Sequence, residues 1–174
     1  MGLFAEWLMV RLGSEAVSLD DLFVSAGVGV PRRSEGWAIA HTKGVDPAEL
    51  TNRLAEESGE PTLAGWIYDS DFAYLAGVGS DERTFELLLG DPYETGEESA
   101  ALVQDLEKLA TQSGRAASAE SLSSWSETNA ARAISPETAL AIVEEHAVFV
   151  EESLARLFEQ LALPHLDTVL GQLR

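Results

Sequence analysis

The sequence predicts an α+β domain in which a mostly antiparallel sheet of about five strands precedes a helical C-terminal half. Three observations lead there. Residues 62–78, TLAGWIYDSDFAYLAGV, form two short apolar runs, rich in aromatic and β-branched residues, around the turn-forming trio Asp69-Ser70-Asp71. Apolar residues recur with period two before Gly90 and with helical spacing after Thr95. No repeat or linker divides the 174 residues, so the chain reads as one domain, sheet-rich over 1–90 and helical over 91–174.

In order, Phe4 to Leu12 predicts a strand with Phe4, Glu6, Leu8 and Val10 on one face and Ala5, Trp7, Met9 and Arg11 on the other. After Gly13, Ser18 is placed to cap a short helix. Asp20 and Asp21 suit the positive end of its dipole, and Leu19, Leu22, Phe23 and Ala26 form its apolar side. Residues 27–36, GVGVPRRSEG, read as a loop, and Gly36 to Thr42 as a second strand. Asp46-Pro47-Ala48-Glu49 combines a cap, a first-position proline and an early acid, a strong helix start that Gly59 can end.

In the hairpin, placing Ser70 and Asp71 near the tip pairs Tyr68 with Ala73, Ile67 with Tyr74 and Trp66 with Leu75. Both faces carry large apolar groups, which predicts interior strands covered by helices on at least one side. Arg83 to Leu89 is a third successive strand, with Phe85, Leu87 and Leu89 on one face.

Thr95 and Glu98 form a capping box for a helix to about Ser113, stopped by Gly114. Arg115 to Ala133 is rich in Ser and Ala, with Trp125 its one large anchor; a short helix and a long loop are both open. Ser135-Pro136 opens the longest predicted helix, to about Leu161, or about 40 Å at 1.5 Å per residue. Leu140, Val143, Ala147, Val150, Leu154, Leu157 and Leu161 alternate spacings of three and four, and Ile142, Phe149 and Phe158 widen the stripe. So long a stripe predicts a homodimer through the helix Ser135 to Leu161, against the alternative that residues 115–133 and a short terminal helix cover it. That terminal helix follows Pro164, with Leu166, Val169, Leu170 and Leu173 apolar.

Thirty acidic residues against eleven basic ones give a net charge of −19. Such a field repels phosphate backbones and anionic membranes and attracts a basic protein partner, although carboxylates also serve solubility alone. Cysteine is absent, which excludes disulfides, thiolate metal sites and a cysteine nucleophile. The N-terminus lacks a basic region ahead of its apolar run and no stretch approaches about 20 apolar residues, so a cytoplasmic protein is expected.

Asp69 and Asp71, two carboxylates on one turn, are candidates for a ligand or a hard cation, with turn formation as the plainer role. A two-residue match to the Asp-x-Asp of nucleotide-sugar transferases is too short to carry a family. His41 ends a strand beside Thr42 and Lys43, where loops often hold functional groups. Arg32 and Arg33 are candidates for contacting an anion or an acidic group of a partner. His146, between Glu145 and Ala147, reads as solvated, and His165 follows the terminal proline. No catalytic motif, metal-ligand spacing or cofactor fingerprint is present.

These features predict a non-catalytic acidic interaction protein, immunity- or antitoxin-like by analogy of class, that binds a basic protein partner. The alternative is a small enzyme or ligand-binding domain with a pocket beside the sheet, using His41 with Asp69 or Asp71. A deep pocket with converging polar groups favours the second, a flat acidic face the first.

Overall fold

The computed structural model describes residues 3–13, 19–92, 106–145 and 147–171. Its strands are β1 (Ala5–Arg11), β2 (Arg32–Ser34), β3 (Trp37–His41), β4 (Thr62–Tyr68), β5 (Phe72–Val78) and β6 (Thr84–Gly90). They form one antiparallel sheet in the order β2-β3-β1-β4-β5-β6. The helices are α1 (Leu19–Ser25), α2 (Pro47–Ser58), α3 (Gln112–Asn129), α4 (Pro136–Val143), α5 (Val150–Gln160) and α6 (Leu166–Leu170), and residues 106–110 are also helical. The α+β class and the helical second half are as expected. The Ser18 cap, the Thr95–Glu98 capping box, His146 and Leu173 lie outside the described residues.

Period-two alternation sorts the sheet into two buried faces. Trp7, Met9, Ile39, Leu63, Ile67, Leu75, Phe85 and Leu87 meet α3 to α6 in the larger core. Leu8, Val10, Ala38, Ala40 and Ala64 meet α1 and α2 on the opposite face. Beside them, Phe72, Tyr74, Ala76 and Leu88 pack with Leu106. Helices therefore cover both sides. Gly65 is needed at the centre, because a Cβ there would lie 2.7 Å from the Trp7 ring and 2.8 Å from the Tyr74 carbonyl oxygen.

The sixth strand corrects the loop expected over 27–36. Glu35 and Gly36 take φ values of 49° and 82°, making a two-residue turn that pairs Arg32–Ser34 with Trp37–Ile39. Three polar residues are too few to show a period, but the Glu-Gly step before Trp37 was a usable turn signal.

The hairpin exists, with its register shifted by one residue. Asp69 and Ser70 both adopt left-handed backbone (φ 51° and 62°), and the Asp71 amide donates to the Tyr68 carbonyl at 3.0 Å. The connection thus has three residues, pairing Tyr68 with Phe72, Ile67 with Ala73 and Trp66 with Tyr74. A one-residue shift exchanges faces. Trp66 consequently joins Phe72 and Tyr74, with ring centroids 5.2 and 5.9 Å apart, while Ile67 joins Ala73 and Leu75 in the larger core.

The Ser- and Ala-rich segment is the longest described helix, α3. Thr111 caps it by accepting from the Gly114 amide at 3.0 Å. Gly114 is therefore not a helix stop; it lies in the first turn, where a Cβ would collide with the Lys108 carbonyl oxygen. The buried face of α3 is made of serines as well as apolar residues. Ser123 Oγ donates to Ile134 O at 2.8 Å, and Ser126 Oγ donates to Ser123 O at 2.7 Å while accepting from Ile134 N at 3.0 Å. Such satisfied hydroxyls hide the amphipathic pattern without costing burial.

The single helix expected from Ser135 to Leu161 is two helices, α4 and α5. Arg115 donates to the carbonyl of Val143, the last residue of α4, at 2.6 Å. The Val150 amide donates to Ser70 O at 3.0 Å, which starts α5 against the hairpin turn without a side-chain cap. These tertiary bonds interrupt a sequence whose spacing runs on through the break. Ile142, Val143, Val150, Leu154, Leu157, Phe158 and Leu161 are buried within the chain, Leu140 and Ala147 are half-buried and Phe149 is exposed, so most of the stripe expected to pair two copies is covered by the chain itself.

At the other end of the sheet, Asp81 ties the β5–β6 turn to the end of α3. Its carboxylate accepts from Thr128 Oγ1 at 2.6 Å and Asn129 Nδ2 at 3.0 Å, which lowers its pKa from 3.8 to about 2. The folded state binds this proton less readily than the unfolded chain, so the contribution is complete above about pH 4 and disappears towards about pH 2. Urea unfolding at pH 5 and at pH 2.5 is expected to show a larger acid-induced loss of stability in the wild type than in Asp81→Asn. Equal losses would mean that these bonds do not form.

Candidate functional site

Ser70 organises the end of the sheet where β4 turns into β5. Its left-handed backbone turns the amide towards Leu3 O (3.2 Å) and the carbonyl towards the Val150 amide (3.0 Å). Its hydroxyl accepts from the Leu3 amide at 2.8 Å and donates to Glu151 Oε1 at 2.5 Å. One nearly buried serine thereby joins the N-terminal segment, the hairpin turn and the start of α5. Glu151 lies in the first turn of α5, where the helix dipole favours a carboxylate; its other oxygen, Oε2, is buried without a hydrogen-bond partner among the described residues.

Large exposed apolar side chains gather around this serine. Phe4 is 56% exposed, Tyr68 41%, Val148 82% and Phe149 54%. Phe4 and Phe149 each adjoin a hydrogen-bond partner of Ser70, and Tyr68 is two residues before it. Phe4 meets Tyr68 edge-on at 5.1 Å and Tyr68 stacks on Phe72 at 5.3 Å, so these rings continue the buried aromatic row to the surface.

Next to them is a cleft of about 350 Å³ lined by Asp71, Gly90, Asp91, Pro92, Glu145, Ala147, Val148, Val150 and Ser153. Arg115 holds one wall through bonds to Gly90 O and Asp91 Oδ1, both at 2.9 Å, and Glu145 is paired with Arg156 and with Ser153 Oγ at 3.3 Å. The Asp71 carboxylate makes no hydrogen bond or ion pair among the described residues. Among the described lining residues, Ser153 faces the Glu145 carboxylate.

The five candidates taken from the sequence do not converge. Asp71 lines the cleft; Asp69 shares its turn but is not a lining residue. His41 ends β3, paired with Trp7 of β1, and β1 separates β3 from the strand that carries the aspartates. His41 and Arg32 instead both approach Gly171, and Arg32 Nη2 donates to Thr168 O at 2.8 Å, tying β2 to α6. Arg33 pairs with Asp20 of α1 at 3.4 Å on the opposite face. The two arginines therefore do not form one anion cradle. Among the described residues no three acidic or histidine side chains are grouped to hold a metal ion. None of the described helices is long and apolar enough to cross a membrane.

Ser70, Arg115 and the exposed Phe149 escaped the sequence reading as functional candidates. Their roles come from contacts distant in sequence, and only the exposed aromatic beside an acidic run hinted at one of them. Comparison of the chain with family models, with characterised proteins and with solved structures finds no match.

Proposed function

We propose that this chain is a non-catalytic interaction protein that binds a basic protein partner, in the manner of an immunity or antitoxin protein that masks its target. The observation carrying this reading is the set of four large, exposed apolar side chains around Ser70 on a chain of net charge −19. Apolar anchors supply the strength of a protein contact, and surrounding charge selects the partner and raises its rate of arrival. Scattered exposed apolar residues are ordinary; clustered ones beside an acidic cleft suit recognition.

Affinity capture from the native cell extract tests the reading. The expected result is a basic protein retained at low salt and released as the salt rises through the physiological range. Retention of small molecules alone, or of proteins without a basic bias, would overturn it.

A further inference from the structure

Building on that reading, we propose that the partner docks at the Ser70 end of the sheet, seating an apolar side chain on Val148 and Phe149 and an arginine or lysine in the adjoining cleft against Asp71. The surface and the cleft share Val148, so one short segment can reach both. The occupant follows from charge. In the cleft, Asp91 is matched by Arg115 and Glu145 by Arg156, which leaves the exposed carboxylate of Asp71 without an ion-pair partner among the described residues. One cation restores balance, while an anionic ligand meets repulsion. Val148, Val150 and Pro92 offer apolar wall for the methylene stem of a long basic side chain.

The receiving frame is already assembled. Ser70 ties the turn bearing Asp71 to the start of α5, and Val150, which follows Phe149, is held by Ser70 O. Docking therefore need not order these segments, which lowers the entropic cost of binding. A second copy of the chain is a poor occupant, because it brings the same exposed carboxylate and a further net charge of −19.

The test titrates the full-length, isotope-labelled protein with N-acetyl-phenylalanyl-arginine amide and follows backbone NMR shifts. The same titration is made with the citrulline analogue, which lacks the charge, and with N-acetyl-alanyl-arginine amide, which lacks the anchor. Saturable shifts confined to the segments around Asp71, Asp91 and Phe149 are expected. Each altered probe is expected to bind about five-fold more weakly, as are Asp71→Asn and Phe149→Ala with the parent probe. Both substitutions are at exposed positions, and unchanged amide spectra elsewhere establish that the variants are folded. Shifts spread over carboxylates throughout the chain, or affinity unaffected by either variant, would overturn the proposal. So would concentration-dependent shifts at these segments without probe, the mark of a second copy. If a basic protein is captured from extract yet both variants retain it fully, this docking site falls while the partner reading stands.

Discussion

Trp125→Ala is expected to lower stability by about 3–5 kcal/mol, the usual cost of emptying a large aromatic site in a core. The ring is fully buried and meets Phe85 edge-on at 5.2 Å, so it fastens α3 to the edge strand β6. A domain of ordinary stability has only about 5–15 kcal/mol to lose, and the melting temperature is expected to fall by about 10 °C or more. Trp125→Phe should cost much less, because the indole N–H has no hydrogen-bond partner among the described residues and its loss strands no acceptor. Thermal and urea unfolding of both variants check this. A loss below about 1 kcal/mol for the alanine variant would mean that α3 does not pack on β6 as described.

Arg115→Ala is expected to cost about 2–4 kcal/mol, more than an exposed ion pair can explain. The guanidinium donates to Ala110 O (3.1 Å), Val143 O (2.6 Å), Gly90 O (2.9 Å) and Asp91 Oδ1 (2.9 Å), and the side chain is only 11% exposed. It therefore joins the end of β6, the helical residues 106–110 and the end of α4. Most of the loss is expected to come from carbonyls left without donors, so Asp91→Ala should be much milder. Arg115→Lys should recover little, because an ammonium cannot present several donors in the plane of a fork. Urea unfolding measures all three. Equal losses for Arg115→Ala and Asp91→Ala would assign the effect to the ion pair alone.

The elements legible in the sequence were those whose signals are local. The strand beginning at Ala5 was a short apolar run ahead of Gly13, Asp46-Pro47 and Gly59 bracketed α2, and the three strands from Thr62 to Gly90 were separated by turn residues. Hairpin register was less legible, because it depended on two non-glycine residues, Asp69 and Ser70, taking left-handed backbone. For α3, the buried serines concealed a helix whose hydroxyls are satisfied by the following loop.

Long-range contacts limited the rest. The spacing from Leu140 to Leu161 continued across a break enforced by Arg115 and Ser70. Of the candidate site, Asp71 was legible as an acidic turn residue, whereas its separation from His41 followed from strand order. The partners of Ser70, Leu3 and Glu151, lie 67 and 81 residues away, so no local pattern could reveal the joint they make. Charge was legible at once, but where the exposed apolar residues gather was not.

The proposed recognition through an acidic field and a localised apolar surface is tested most directly by the rate at which a basic protein captured from extract associates with the full chain. Stopped-flow measurements from 20 to 300 mM salt are expected to show the association rate constant falling by about ten-fold or more while dissociation changes little, as electrostatic steering requires. An association rate indifferent to salt would contradict the account.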